Sequence, residues 1–292
     1  MSSWLVIGAN GFLGSALLAQ LAAAGVPAVG ARGPGALPLD LLDRPALKRV
    51  LRQVRPRRIV NAAGHPPGAS DEEMRRIHLE GSRNLLAAQE ESGLACRTIL
   101  LGSAAEYGNS PENVGSGEDD PPHPLSAYGR IKARQSEAGL DARSRGADVV
   151  IARVFNTTGP GQGKHLLAGA LLDRLARGER PLRVEQSNFV RDWLDIRDTA
   201  RALVRIGEAV ATPAVVNVCT GEGRPVEELA RALAKLAGGR VEPMPAAISA
   251  EVLWRSVGRP DRLWSLGWRP EVPFERSLRD QWLAGGSTRR PA

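Results

Sequence analysis

The sequence predicts an α/β fold: a doubly wound, mostly parallel sheet followed by a smaller, less regular C-terminal α/β part. Three observations carry this. Short apolar runs alternate with Ala- and Leu-rich helical segments through the first half, and a glycine-rich turn joins the first strand to the first helix. The second half loses that regularity and fills with prolines. Strands that alternate with helices need crossover connections, which give parallel sheets covered on both faces.

The elements follow in order. Residues 4–7 read as a strand, 12–24 as a helix, 27–31 as a second strand and 37–39 as a brief extended piece. Asp43 is placed to cap a helix over 44–54, with Pro45 in the first turn where a missing N–H is tolerated. Residues 58–62 form the next strand. Ser70 and Glu73 make a capping-box pattern that opens a helix running to 91. Residues 98–102 are a buried strand, Ser126 caps a helix to about 143, and 149–154 is a further strand. Residues 166–177, 198–208 and 225–237 read as helices and 215–218 as a strand. Beyond Gly238 the chain is broken by Pro243, Pro245, Pro260, Pro270 and Pro273. That composition predicts short helices and loops packed as a lid, not more parallel sheet, with 287–292 a frayed tail.

Composition narrows the function classes. A chain of 292 residues with 42% hydrophobic and 24% charged content suits one large folded domain, or a major and a minor one. The net charge of +7 is carried mainly by arginines scattered singly along helical stretches, and aromatics make up 4% of the chain. Nucleic-acid binding is not expected, because its footprint is clustered basic charge. The excess suits an anionic small molecule such as a nucleotide. Cys96, Cys219 and four histidines (His65, His78, His123, His165) lack metal-ligand spacing, so no metal site is expected and the thiols read as buried in a reducing compartment. The apolar run 12–25 is too short to span a bilayer and is interrupted by Gly14, Ser15 and Gln20. No basic leader or cleavage site precedes the first strand, so a cytoplasmic protein is expected.

The turn Gly8-Ala9-Asn10-Gly11-Phe12-Leu13-Gly14 has the chemistry of a dinucleotide site. Gly8 permits the tight turn, Gly11 lets backbone approach a pyrophosphate, and Gly14 lets the helix pack close to the strand. The helix N-terminus offers unpaired N–H groups and a favourable dipole to the phosphates. At the end of the second strand stands Arg32, not a carboxylate; a guanidinium suits a 2′-phosphate, so NADP(H) is favoured over NAD(H). Asp40 is the natural acceptor for the adenine amine.

Tyr128 and Lys132 stand four apart on a helix and share a face. A free phenol titrates near 10, and a neighbouring ammonium favours the phenolate. The expectation is a lowered tyrosine pKa. Ser103, at the end of its strand, can hydrogen-bond a substrate oxygen while Tyr128 exchanges a proton with it, and Lys132 reaches the nicotinamide ribose.

The spacing GxxGxxG with YGRIK, together with NAAG (61–64), GSAAEYG (102–108), RVFNTTGPGQ from Arg153, RDWLDIRD from Arg191, NVCTGEG from Asn217 and RPDRLWSLGWRP from Arg259, resembles the extended short-chain dehydrogenases of the nucleotide-sugar epimerase/dehydratase/reductase family. The motifs match in order along almost the whole chain. The resemblance implies a Rossmann domain (1–155 plus about 190–218) and a smaller domain (about 156–189 plus 219–286) that grips a nucleoside diphosphate sugar. It also implies homodimers joined through the helices opened by Ser70 and Ser126. It extends the cofactor site to Asn10, Phe12, Leu13, Leu41, Ala62, Ala63, Gly64 and Phe155, and makes Asn156, Arg191 and Arg259 substrate ligands. Arginine's planar fork matches phosphate oxygens; the alternative for both arginines is salt bridging to Asp192, Asp195 or Asp261.

Within the family, dehydratases place acidic residues just after the Ser/Thr; here those positions are Ala104 and Ala105, with Glu106 one step on. The FNTTGPGQ and VRDWLDIRD stretches resemble GDP-4-keto-6-deoxymannose reductases, whereas 36–61 resembles dTDP-4-dehydrorhamnose reductases. His78 stands where asparagine is usual. Trp254, Trp264 and Trp268 read as core of the smaller domain. Three readings result: a nucleotide-sugar ketoreductase, a 4-epimerase of the same fold, or a non-catalytic dinucleotide sensor, against which the Ser103, Tyr128 and Lys132 set argues.

Overall fold

In the computed structural model, which describes residues 4–31, 37–65 and 68–286, every side chain of β1 (Trp4–Ile7) is buried. Alternate strand residues point to opposite faces, so a run apolar at every position needs cover on both. Trp4 and Val6 enter one apolar cluster with Leu17, Leu21, Leu203 and Ile206. Leu5 and Ile7 enter another with Leu47, Leu51 and Leu85.

The first half builds that layered sheet: α1 (Phe12–Ala23), β2 (Ala28–Ala31), α2 (Arg44–Val54), β3 (Arg58–Asn61), α3 (Asp71–Arg75), a π-helical turn (Arg76–Glu80), α4 (Gly81–Ser92), β4 (Arg97–Ser103), α5 (Ala127–Ser144) and β5 (Val149–Val154). After it come β6 (Asn156–Thr158), α6 (Leu167–Ala176), β7 (Leu182–Glu185), β8 (Val190–Asp195), α7 (Ile196–Glu208) and β9 (Val215–Val218). The chain then runs through β10 (Gly223–Pro225), α8 (Val226–Leu236), β11 (Val241–Met244), β12 (Arg255–Ser256), α9 (Asp261–Ser265) and α10 (Phe274–Gly286). Six strands form one parallel sheet in the order β2-β1-β3-β4-β5-β9. The chain steps from β1 to β2 on one side and returns to β3 on the other. Its topological switch point therefore lies between β1 and β3, where open α/β sheets bind ligands at the strands' carboxyl ends.

The expected caps are formed. Asp43 accepts the Ala46 N–H at 2.9 Å, Ser126 Oγ accepts the Gly129 N–H at 3.0 Å, and Ser70 and Glu73 cap each other's backbone. The helix opened by Ser70 is not uniform, because the π-helical turn interrupts it at Arg76–Glu80. Such single-turn bulges recur at functional sites.

The second half departs from the sequence expectation. Three additional parallel pairings exist: β6 with β8, β11 with β7, and β12 with β8. Pro243 lies within β11 and the proline-rich stretch still pairs, because a two-stranded ribbon leaves an edge on which a missing donor costs nothing. Another departure is the length of α10, 13 residues where short helices are expected. β8 pairs with β6, β10 and β12 instead of joining the large sheet. It straddles the two cores, with Leu194 in the first and Trp193 in a second cluster of Leu171, Phe189, Leu229 and Leu233. The tryptophans divide likewise. Trp268 and Trp264 pack with the first core and only Trp254 with the second, which corrects their joint assignment to the smaller domain.

Among the described residues no helix is long and apolar enough to cross a membrane, and no cluster of three metal-ligating side chains occurs.

Candidate active site

The glycine turn closes tightly against β3. Gly8 has φ +80°, and a Cβ there would lie 2.6 Å from the Ala62 carbonyl oxygen; a Cβ on Gly14 would run into the Gly8 carbonyl. Both positions therefore exclude side chains. Gly11 is different: it is exposed, it N-caps α1 without any side-chain cap, and its N–H donates to Gly8 O at 3.0 Å. The first N–H groups of a 12-residue helix thus face outward without a side-chain partner, beside a residue with no Cβ. This cradle fits the pyrophosphate of a dinucleotide.

The other cofactor positions surround the turn. Asn10 is exposed and Phe12 and Leu13 are half-buried on it. Ala62, Ala63 and Gly64 continue β3 at the switch point, with Ala63 N–H bonded to Asn61 Oδ1 at 3.2 Å. Asp40 is exposed and accepts the Leu42 N–H through Oδ1 at 2.9 Å, leaving Oδ2 for another donor, while Leu41 is buried. The Phe155 ring is committed to a buried cluster with Ala104, Tyr107 and Cys219. Arg32 lies outside the described residues.

Ser103 ends β4 and begins a 3-10 turn (Ala104–Glu106). Its position is fixed from beneath. Ser103 N–H donates to Glu106 Oε1 at 2.7 Å, while Glu106 Oε2 accepts from Ser136 Oγ at 2.8 Å and Arg153 Nε at 2.9 Å. Glu106 is fully buried, and the Arg153 guanidinium also stacks 4.4 Å over the Tyr107 ring. Removing one partner of such a pair would strand a buried charge, at a cost of about 3–5 kcal/mol. The carboxylate nearest Ser103 in sequence is thus a structural ion-pair partner, turned away from the cleft.

Tyr128 and Lys132 emerge from the first turns of α5. Tyr128 is half-buried, with its hydroxyl close enough to the Ser103 side chain for that side chain to favour the phenolate. Burial pushes the phenol above its ordinary value, Glu106 adds to that, and the Ser103 side chain opposes it. Lys132 is buried; its ammonium donates to the Leu101 carbonyl and to Gln135 Oε1 at 2.5 Å, and desolvation pulls it down to about 8. The expected lowering of the Tyr128 pKa by Lys132 is corrected here. Lys132's bonds run down into the sheet, so desolvation outweighs attraction at the phenol.

The three expected substrate ligands lie on other elements than this pair. Asn156 is half-buried in β6, opposite Trp193 of β8. Arg191 donates to the carbonyls of Val190, Trp254 and Leu253 at 2.8, 3.0 and 2.8 Å, and burial lowers it to about 10. Arg259 leaves its buried Nε without a partner among the described residues. Neither arginine forms a salt bridge to Asp192, Asp195 or Asp261. Asp192 is instead satisfied by Thr220, Gly221 and Gly258, and Asp195 by Arg197.

Two histidines that sequence reasoning left without a role stand against Tyr128. His65 follows Gly64 at the end of β3, and His78 lies in the π-helical turn. Their ring centroids are 5.8 and 5.9 Å from that of Tyr128, and His65 Nδ1 meets His78 Nε2 at 2.8 Å. Burial, then the Lys132 charge, then His65 hold His78 down to about 2. The signal in the sequence was the buried-helix position of His78 itself; the contact with His65 spans 13 residues and only the fold reveals it.

Residues 4–219 match the NAD dependent epimerase/dehydratase family. The chain belongs to that family. Among its relatives is dTDP-6-deoxy-L-talose 4-dehydrogenase (NAD(P)(+)) of Kitasatospora kifunensis, 31% identical over 96% of this chain and 94% of that one. GDP-6-deoxy-D-mannose reductase of Pseudomonas aeruginosa is also 31% identical, over 94% of each. Among solved structures, the P. aeruginosa protein RMD complexed with NADPH is 29% identical with a TM-score of 0.85, covering 98% of this chain and 99% of that one. UDP-glucose 4-epimerase of Thermus thermophilus in complex with NAD is 27% identical with a TM-score of 0.86 over the same shares. The family membership accounts for the Rossmann-type sheet and its glycine turn.

His78 gives a pH-dependent stability whose sign is fixed. Its folded value near 2 lies below the ordinary 6.5, so the contribution is constant above about 6.5 and stability is lost as pH falls below it, because the unfolded chain takes up a proton the folded one refuses. Between pH 7 and 5.5 the native protein should lose about 1 kcal/mol more than His78→Asn, measured by urea denaturation at both pH values. Equal losses in the two proteins would contradict the burial of a neutral imidazole.

Proposed function

We propose that this chain is a nucleotide-sugar ketoreductase that reduces a 4-keto (deoxy)sugar attached to a nucleoside diphosphate, with Tyr128 as proton donor. The observation that carries this reading is the phenol held protonated beside Ser103 while the neighbouring carboxylate is buried in an ion pair. A protonated phenol is prepared to give a proton to the oxygen of a carbonyl under reduction. Water elimination needs a carboxyl group in the cleft, and Ala104, Ala105 and the sequestered Glu106 offer none. Of the two relatives at 31% identity, one is named a 4-dehydrogenase of a nucleotide-linked deoxysugar and the other a reductase of one, which supports this reading.

In this reading a nicotinamide bound beyond the glycine turn supplies the hydride. Ser103 Oγ, already oriented by its bond to the Ala105 N–H at 3.2 Å, orients the substrate carbonyl and polarises it. Tyr128 donates its phenolic proton to the oxygen as the alkoxide develops. Lys132 keeps a positive charge below the pair and stabilises the phenolate left behind. Arg191 and Arg259 bind the diphosphate: one donates to three backbone carbonyls and has no salt bridge among the described residues, and the other has an unused buried donor among them. Asn156 completes the sugar site. The smaller domain (about 156–189 plus 219–286) contributes Asn156 and Arg259, and the first (1–155 plus about 190–218) contributes Arg191 and the cofactor site. We place the working enzyme as a homodimer through Asp71–Ser92 and α5, whose outer faces line one open cleft with Leu79, Pro124 and Ile131.

A second reading is a 4-epimerase, favoured by the likeness to the T. thermophilus epimerase. The two differ in stoichiometry. With a GDP- or dTDP-linked 4-keto-6-deoxysugar, nicotinamide absorbance should fall one equivalent per sugar reduced, and Tyr128→Phe should lower turnover by about 10²–10⁴ while NADPH still binds. Sugar turnover without net NADPH loss would replace the reductase with the epimerase; an active Tyr128→Phe would remove the tyrosine's role.

The cofactor is proposed as NADP(H), because Arg32 follows β2 where a carboxylate would otherwise hold the ribose. NADPH should bind about tenfold or more tighter than NADH, a difference of about 1.4 kcal/mol, and Arg32→Asp should abolish or reverse the ratio. An unchanged ratio of dissociation constants in the variant would refute the assignment.

A further inference from the structure

A substrate gripped at its diphosphate and reduced at its sugar needs those two ends held at a fixed spacing. A single buried amide joins the groups proposed for them. Asn217 is the one polar residue of β9, whose other side chains are Val215, Val216 and Val218. It is fully buried, opposite Arg153 of β5. An asparagine in such a place is costly unless its polar atoms are paired. Its Oδ1 accepts from the Tyr107 hydroxyl at 2.8 Å, and Nδ2 donates to the carbonyls of Ser116 at 2.9 Å and Arg259 at 3.2 Å. Its backbone N–H donates to Glu118 Oε1 at 3.0 Å. Both donors and the acceptor of the side chain are therefore in use.

These four bonds tie together three separate stretches of chain. Tyr107 follows the turn that begins at Ser103, and its ring lies under the Arg153 guanidinium that pairs with Glu106. Ser116 and Glu118 belong to the loop before α5, and Arg259 stands just before α9. Loop and arginine are also bonded to each other. Ser116 N–H donates to the Val257 carbonyl and Arg259 N–H to the Ser116 carbonyl, both at 2.8 Å. Gly117 completes the arrangement: a Cβ there would run into Arg259 Nη2 and lie 2.6 Å from Cζ, so the guanidinium rests on bare backbone. Arg259 Nε is buried without a partner among the described residues. The loop, and no ion pair among those residues, places this side chain.

We propose that Asn217 and Gly117 are positioning residues for the substrate diphosphate. Asn217 locks the loop 115–118 and the Arg259 backbone to the turn that carries Ser103. Gly117 leaves the space in which the guanidinium lies as it meets the phosphate oxygens. Neither residue touches the substrate; both act through Arg259, so the inference rests on the reading of Arg259 as a diphosphate ligand. A planar fork held in place beforehand keeps its alignment and loses less freedom when the anion arrives.

The test has one arm that needs no ligand. Asn217→Asp keeps the volume and the acceptor for Tyr107 but sets an oxygen against the two carbonyls that Nδ2 served. In hydrogen exchange read by mass spectrometry, peptides covering 115–118 and 256–260 should exchange at least tenfold faster in this variant, while β4 and β5 keep their native rates. Unchanged exchange in the two peptides overturns the hub. Equal acceleration in β4 and β5 assigns Asn217 a general structural role and overturns it as well. The second arm is calorimetric titration of the NADPH-loaded enzyme with GDP and with dTDP. Gly117 lies outside the left-handed region, so Gly117→Ala fits the backbone and displaces only the end of a flexible side chain. It should weaken the tighter-bound nucleotide at least tenfold, and should change nothing in an Arg259→Ala background. Undiminished binding in Gly117→Ala, or equal weakening in both backgrounds, overturns the role of Gly117. If the native enzyme binds neither nucleotide, the diphosphate reading falls, while the exchange arm still decides whether Asn217 holds the loop and Arg259 together.

Discussion

The juxtaposition of Tyr128 and Ser103 is the constraint on which the site depends, and most of the surrounding structure serves to hold its two ends. Ser103 is held by its own backbone: the N–H is gripped by Glu106, whose other oxygen is pinned by Ser136 and Arg153. Tyr128 is held by α5, which Ser126 caps one turn earlier and which Gly129 and Gly139 allow to lie close to Ala105 and to the Leu100 and Ile151 side chains. A buried ion pair here is poor evidence for stability, since its desolvation offsets its attraction. Its effect is geometric. It converts the end of a strand into a fixed point at the carboxyl edge of the sheet, next to the switch point where the glycine turn meets Ala62.

The electrostatics of the site then follow from desolvation more than from charge pairing. The sequence suggests a tyrosine pulled down by a lysine four residues along. The fold shows the lysine itself pulled down and tied to a strand carbonyl, and the phenol pushed up. Both shifts favour neutral forms. For the proton donor proposed at Tyr128, a raised pKa keeps the acid loaded at neutral pH. The same logic keeps His78 neutral against the same lysine.

Periodicity made the first half legible. Strands buried on both faces show as unbroken apolar runs, and α2, the helix opened by Ser70 and α5 announce themselves by caps that the structure reproduces. Legible too were Gly8, where a positive φ and a close approach admit no other residue, and Gly14, where the close approach alone does, while one strand end and one helix carry Ser103, Tyr128 and Lys132. The second half was less so. β6, β10 and β12 are two or three residues long and take their conformation from β8, so no local pattern marks them. β11 pairs through a proline that would ordinarily argue against a strand. The His65–His78 contact joins a loop to a distorted helix turn, and the distortion has no signature in residue spacing. Arg32, on which the proposed cofactor preference turns, lies outside the described residues.

The most direct measurement is spectrophotometric titration of the Tyr128 hydroxyl in Tyr107→Phe protein without substrate. Burial beside Ser103 and the negative Glu106 requires a midpoint above the ordinary phenol value of about 10. A midpoint at or below that value would mean that lysine attraction governs the phenol after all, and would contradict the proposed role of Tyr128 as proton donor.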